Sequence, residues 1–349
     1  MGIKRKIFDF KTISLRSWRK LAKRASLCIF LISVLFSFLS NWFVRHPLNW
    51  IEDKYDALPD FIVDGLVYIG EPFADITDSW GLTGSDAFCE VPDTSQIGGK
   101  IFFAGPPLVA SKKAPDDIIS SDKGEFIVGY SDKMRHAVWC GYRVTKDADY
   151  FIKKRPGFRK DKTFKSCPKS ESYARTGYDR GHLAPNYAIM SRFGEEAQRK
   201  TFLMSNVAPQ SPRLNRGVWR EIEHRIADLF TSKWGDVWVI VGTISEGKET
   251  LSGTEIDVPT AFYQIAAAKT DNEIRAVAFL CDQHVPWKAW PRHYLVSIDE
   301  LEERTGLDFF SELDDSVEEK LESQTATRLL PTGFSAAFEA LGIHFKDYR

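Results

Sequence analysis

Residues 25–44, ASLCIFLISVLFSFLSNWFV, contain no charged residue. Twenty such residues in a helix can cross a hydrocarbon core of ~30 Å, and a segment of this kind divides the rest of the chain into two sides. The 24 residues before it carry nine Lys+Arg and one acid, Asp9. Trp42 and Phe43 fall where an interfacial aromatic belt would lie. The basic flank is the one expected to stay in the cytoplasm, which puts everything after Arg45 beyond the membrane. A cleaved signal peptide fits less well. The basic region and the apolar run are both long for one, and FLSNWFVRHP offers no small-x-small cleavage site. Residues 1–24 therefore read as a basic cytoplasmic tail and 25–44 as an uncleaved transmembrane anchor. The domain beyond it is expected to be periplasmic or extracellular. A basic, acid-poor leader ahead of an apolar span is also the pattern of an organellar presequence.

Residues 45–98 read as a connector, with short amphipathic pieces and turn-formers such as EPFADITDSWGLTGSD and no strong period. From 99 to 349 the pattern is that of one mixed domain. EFIVGYS (125–131) and HAVWCGYRV (136–144) predict two strands around a turn at SDKM, and DVWVIVGTIS, TAFYQIAAAK and IRAVAFLCDQ predict three more in the core. PRLNRGVWREIEHRIADLFTSKWG (212–235) predicts a long helix with Leu214, Val218, Ile222, Ile226 and Leu229 on one face. A second helix begins within VSIDELEERTGLDFF with an Asp-x-x-Glu-like cap. The fold class expected is α+β. Of the five cysteines, Cys28 lies in the span. Cys89, Cys140, Cys167 and Cys281 show no CxxC spacing, which argues against zinc; their even number permits disulfides without assigning them.

Net charge is -1, but it is unevenly spread. Residues 133–220 hold 20 Lys+Arg against 7 Asp+Glu, and the remainder holds 27 against 41. A basic middle on a neutral chain fits either an anionic partner or a solvated charged surface. Inside it lies TGYDRGHLAPNYAIM (176–190). His182 is the natural general base, because an imidazole titrates near neutrality. Arg180 stays charged and presents a fork of donors suited to phosphate oxygens. Gly181 permits close approach of a ligand or an unusual turn. Asp179 is expected to orient a neighbour rather than react. A histidine in a polar loop is by itself more often structural. Downstream, SNVAPQSPRLNRGVW supplies Asn206 and Asn215, with Glu223 two helical turns beyond Asn215 and on the same side. A lone amide oxygen suits Mg²⁺ that keeps most of its waters and takes its other partners from substrate phosphate. The alternative is that Asn215 caps the helix. A base, a sparse oxygen site and a phosphate-binding Arg describe metal-assisted hydrolysis of a phosphodiester.

With these motifs in this order the chain resembles the DNA/RNA non-specific endonucleases, the endonuclease G-like ββα-metal nucleases. The resemblance runs through FIVGYSDKMRHAVWCGYRV, TGYDRGHLAPN, TFLMSNVAPQSPRLNRGVWREIE, VWVIVGTI, VPTAFYQI and IDELEERTGLDFF, about residues 100–312. It implies a central antiparallel sheet carrying a ββα-metal finger. His182 would be the base, Asn215 the single protein ligand of Mg²⁺ (or Mn²⁺), and Arg180 the phosphate contact. Asn206 would support the site, and Glu223 would hold metal-bound water. The expected activity is cleavage of DNA and RNA alike to 5′-phosphorylated fragments. Relatives often carry an Arg one turn beyond the Glu, where this chain has Ala227; Arg220 or Arg225 are the substitutes at hand. The resemblance adds the mitochondrial inner membrane as the alternative location. A homodimer is compatible with the sequence, which is silent on any inhibitor protein. The competing reading is a membrane-tethered nucleic-acid-binding protein on a nuclease fold that has lost turnover.

Overall fold

The computed structural model describes residues 87–326, apart from positions 92, 151–154, 248 and 287–288. The predicted tail, the anchor and most of the connector lie outside the described residues. Among the described residues no helix is long and apolar enough to cross a membrane.

The strands expected from the sequence build the centre of the molecule. In chain order the strands are β1 (Ala87–Glu90), β2 (Leu108–Val109), β3 (Ile118–Asp122), β4 (Phe126–Ser131), β5 (His136–Val144), β6 (Asp179–His182), β7 (Val207–Gln210), β8 (Val237–Ile244), β9 (Ala261–Lys269), β10 (Glu273–Asp282), β11 (Leu295–Val296) and β12 (Leu307–Asp308). The main sheet runs β1-β10-β9-β8-β5-β4-β3 and every pairing in it is antiparallel. β11 pairs with β10 beside β1. Cys89 and its neighbours, expected in the connector, are thus part of the sheet: Ala87–Glu90 align with Glu273–Ala276. Four residues pinned at an edge show little period, so the sequence pattern did not reveal them.

Alternation along the central strands sorts their side chains into two layers. Val237, Val239 and Val241 of β8 face one hydrophobic cluster, with Tyr142, Phe262 and Phe279. Trp238 and Ile240 face the other, with Tyr263, Ile265 and Ala276. Every residue of β8 is buried, because both faces of the sheet are covered. The first layer contains α1 (Asn186–Thr201), α2 (Pro212–Arg216) and α3 (Val218–His224). The second contains α5 (Ile298–Thr305) and α6 (Asp315–Glu322), α4 being the short Thr231–Trp234 turn.

Two expectations need correction. The long helix over 212–235 is segmented. Gly217 interrupts it at φ -99°, ψ -121°, where a Cβ would lie 2.4 Å from the Arg213 carbonyl oxygen. Arg225–Phe230 then winds as a π-helical stretch before α4 ends at Gly235. The predicted face nevertheless packs inward, with Leu214, Val218, Ile222 and Ile226 buried. The two-turn argument that aligned Asn215 with Glu223 does not hold across this break. The cap of α5 is Ser297, whose hydroxyl accepts from Glu300 N, rather than Asp299. Cys89, Cys140, Cys167 and Cys281 are all buried free thiols.

Close packing in the sheet relies on glycine at Gly242 of β8. A Cβ there would meet the Tyr263 hydroxyl at 2.3 Å and the Val138 carbonyl at 2.4 Å, and neither can retreat. Gly242→Ala is expected to cost roughly 1–3 kcal/mol by overpacking. A urea midpoint equal to wild type would refute this account of the layer.

Candidate active site

The DRGH segment is a strand, not the loop that its polarity suggests. β6 pairs antiparallel with β7, setting Asp179 opposite Gln210, Gly181 opposite Ala208 and His182 opposite Val207. Helix α2 follows one residue after β7, so two strands and a helix frame the site. Strand periodicity puts Arg180 and His182 on one face and Asp179 and Gly181 on the other. Gly181 is needed for packing rather than for a turn or a ligand: a Cβ would lie 2.4 Å from Gln210 Oε1.

Both residues of the first face pack on Phe158. The His182 ring lies 5.1 Å from the Phe158 centroid, and the Arg180 guanidinium carbon lies 5.3 Å from it. Phe202 closes the His182 seat edge-on at 4.9 Å. Arg180 Nε donates to the Ser170 carbonyl (3.2 Å), which fixes its plane. Nε2 of His182 is buried without a hydrogen-bond partner. Since the residue as a whole is only partly buried, the ring meets solvent through its Nδ1 edge. Desolvation, with the nearby charge of Arg155, depresses His182 to about 3. It is a neutral imidazole at neutral pH.

On the second face Asp179 acts as a clamp. Its Oδ2 accepts from Asn215 Nδ2 (2.9 Å) and Arg216 Nε (2.8 Å), and its Oδ1 accepts from Arg216 Nη2 (2.6 Å). Burial raises the Asp179 carboxyl, but Arg216 and Asn215 outweigh it and hold the group below the usual carboxylate range. Because Asn215 donates through its nitrogen, its Oδ1 points away from the clamp. Asn215 is not the helix cap; Ser211 is, with its hydroxyl accepting from Leu214 N.

Asn206 is fully buried and its amide is spent on backbone. Oδ1 accepts from Ala184 N (2.9 Å), and Nδ2 donates to the carbonyls of Ala184 and Thr201 (3.0 Å each). It is therefore a positioning residue, not a catalytic one: it holds the chain that follows His182. Glu223, on α3, is partly buried, and desolvation raises its carboxyl to about 8 against the opposing influence of Trp219, Arg155 and Arg220. Among the described residues no hydrogen bond joins Asn215, His182 and Glu223 directly. Asn215 is linked to His182 through Asp179, which binds the Asn215 amide and shares β6 with His182, and the field of Arg155 reaches His182 and Glu223 alike.

Arg155 and Phe158 are the site residues that sequence reasoning missed. Of the substitutes proposed for the arginine absent at Ala227, Arg225 is buried with its Nε on Glu221 Oε1 (2.9 Å), and Arg220 is exposed. The Ala227 carbonyl accepts from the buried Arg192. Arg155 lies in KKRPGFRKDK, where one cation among several carries no individual signal. The aromatic embedded in that basic run was the available clue.

A family model described as DNA/RNA non-specific endonuclease matches residues 109–316, more than half of the chain. A nuclease of Nostoc sp. is 27% identical over 256 residues, covering 67% of this chain and 90% of that protein. Mitochondrial endonuclease G of Bos taurus is 27% identical over 235 residues, covering 59% and 73%. The mitochondrial nuclease EXOG of Danio rerio is 32% identical over 159 residues, covering 41% of this chain and 46% of that one. Among solved structures, one of an EndoG/EndoGI complex is similar in fold, with a TM-score of 0.51 at 22% identity, covering 57% of this chain and 88% of that one.

The two displaced titrations act on stability in opposite directions. Below 6.5 the unfolded chain protonates His182 while the folded chain does not until about 3, so acid destabilises across that window. Between 4.5 and about 8 the folded chain keeps a proton on Glu223 that the unfolded chain has lost, so stability falls as pH rises. Above pH 6.5 only the Glu223 contribution remains. In chelator, wild type is expected to unfold at lower urea at pH 8 than at pH 6.5, and Glu223→Gln to narrow that gap. An unchanged gap in the variant would remove Glu223 as its source.

Proposed function

The chain belongs to the DNA/RNA non-specific endonuclease family and is a phosphodiester hydrolase; from that premise we propose that it is a Mg²⁺-dependent, sugar-non-specific endonuclease. It cleaves DNA and RNA to 5′-phosphorylated fragments, with His182 as general base and with its catalytic domain tethered to a membrane. The observation that carries this reading is the seat of His182, neutral and walled by Phe158 and Phe202, on the same strand face as Arg180.

The residues present suit a hard divalent ion. Asn215 Oδ1 is turned out of the Asp179 clamp. The Glu223 carboxyl is desolvated enough to keep its proton near neutrality unless positive charge arrives. Asn215 would hold the ion directly and Glu223 through bound water. When bound, the ion would supply charge to the phosphate and to the leaving 3′ oxygen.

The chain's own part follows from its geometry. Nε2–H remains in the aromatic seat, and the Nδ1 lone pair takes the proton of the attacking water. The attack is in line on phosphorus, and no 2′-hydroxyl takes part, so DNA and RNA are equivalent substrates. Arg180, held by Ser170 and lying over the Phe158 ring, neutralises the phosphate. Arg155 answers the charge that develops there, the role left open by Ala227. Burial of the ring, aided by the Arg155 charge, keeps the imidazole unprotonated at rest. Around it, the exposed cations Arg159, Lys160, Lys162, Lys165 and Lys169 supply backbone affinity without base readout.

A plasmid-degradation assay with and without EDTA tests the proposal and separates it from a binding protein without turnover. His182→Ala is expected to lose roughly 10²–10⁴-fold or more of cleavage while still retarding DNA. Arg155→Ala is expected to lose about 10²–10³-fold, mainly in kcat. Asn215→Ala is expected to lose activity and to need more Mg²⁺. Near wild-type turnover in His182→Ala would end the assignment.

Residues 25–44 supply the tether, with the basic tail cytoplasmic and the catalytic domain beyond the membrane. This keeps a non-specific nuclease away from cytoplasmic nucleic acid. The full chain is expected to resist extraction by high salt and alkali, and added protease to degrade the catalytic domain of intact cells stripped of any outer envelope. A soluble full-length chain, or a domain protected on the cytoplasmic side, would contradict this topology.

A further inference from the structure

On the face of the sheet away from His182, α5 and α6 bring three carboxylates together. Asp299 and Glu302 are one helical turn apart on α5, and Glu322 is the last residue of α6. One oxygen from each lies within 4.8 Å of the others. We propose that Asp299, Glu302 and Glu322 bind a hard divalent cation of the calcium class, at a structural site separate from the catalytic centre.

Proximity of acids alone would not carry this. Glu322 is the second observation. It is only 4% exposed, and its Oε1 is buried with no hydrogen-bond partner among the described residues. A carboxylate oxygen removed from water and left without a donor is costly, and one buried among other carboxylates is costlier still. Glu302 is pre-oriented: it accepts from Phe309 N at 2.7 Å through Oε1, which leaves its second oxygen available. Asp299 is exposed and Glu302 partly buried, so the cluster grades from solvent to interior and an ion has a way in. Asp308 and Glu318 add negative field around it.

The donor set selects the ion. It is all oxygen, with no thiolate or imidazole to favour zinc, copper or iron. Ca²⁺ binds oxygen at about 2.3–2.6 Å in flexible, irregular shells, which suits three oxygens spread within 4.8 Å, whereas Mg²⁺ at about 2.0–2.1 Å demands a tighter, near-octahedral set. Water completes the shell on the Asp299 side.

Such an ion would clip α5 to α6 where the chain secures the edge of the sheet. Two residues beyond Glu322, the Gln324 amide pairs with both backbone groups of Phe88 in β1 (3.3 and 3.1 Å). Holding the end of α6 therefore also holds β1 against β10.

The test is thermal unfolding of the purified full chain, stripped with EDTA and titrated with CaCl₂. Above the dissociation constant, each tenfold rise in free Ca²⁺ should raise the melting temperature by roughly 3–6 °C. Asp299→Asn and Glu322→Gln should lose most of that rise while keeping Mg²⁺-supported plasmid cleavage. Asn215→Ala should keep the rise, because its oxygen belongs to the other site. Asp299 is on the surface, so its variant decides the matter even if Glu322→Gln folds poorly. No rise in wild type, as for carboxyls that simply share a proton, would overturn the proposal. So would a rise that persists in Asp299→Asn.

Discussion

The pairing of β6 with β7 is the constraint on which the site depends. Four residue pairs place Asp179 and His182 at opposite ends of a short ribbon and set which side chains share a face. Each end is then secured by a buried or clamped polar group. Asn206 spends its amide on Ala184 and Thr201, so the chain leaving His182 has one course. Asp179 grips Asn215 and Arg216, so the helix after β7 is tied back to the start of β6. A hydrogen-bonded amide with no exposure is expensive to disturb, because any lost partner leaves a buried group unsatisfied. The precision of the site comes from such groups, none of which needs to touch a substrate.

Desolvation gives the site its electrostatic character. It drives His182 down and Glu223 up, so both are neutral near pH 7 in the folded chain. For a base this leaves the lone pair free at any physiological pH, at a cost in proton affinity. For an acid it is a state waiting for a positive charge. Arg155 influences both groups and cannot lose its proton, so one exposed guanidinium couples the two.

The sequence made the sheet legible because its five long strands are apolar on both faces, and buried strands of that kind read clearly. Its chemistry-bearing residues were legible as motifs. What could not be read was conformation that depends on partners. DRGH is polar and looks like a loop until Val207–Gln210 is placed beside it. Gly181 suggested a turn, whereas it makes room for the Gln210 side chain. The helical period ran unbroken through Gly217, yet one glycine conformation segments the helix. Helix α1 was not foreseen, because NYAIMSRFGEEAQRKT folds as two pieces joined at Gly194, with φ of 83°. β1 is too short to show a period and is defined by its neighbours, β10 and Gln324.

The basic middle of the chain resolves into two populations once its partners are known. Arg143 pairs with Asp236, Lys200 with Glu125 and Arg216 with Asp179, and Arg192 is buried against carbonyls of its own layer. These cations hold the fold. Arg155, Arg159, Lys160, Lys162, Lys165 and Lys169 are exposed and cluster in the stretch that delivers Phe158 to the site. A count of charges cannot separate the two groups, since each contributes equally to the excess. Burial and pairing do separate them, and the exposed group adjoins the catalytic face of the sheet. The opposite face carries the acidic corner of Asp299, Glu302 and Glu322. The sheet thus keeps a surface suited to polyanions apart from one suited to cations, and a phosphodiester approaching the protein is drawn to the first and repelled by the second.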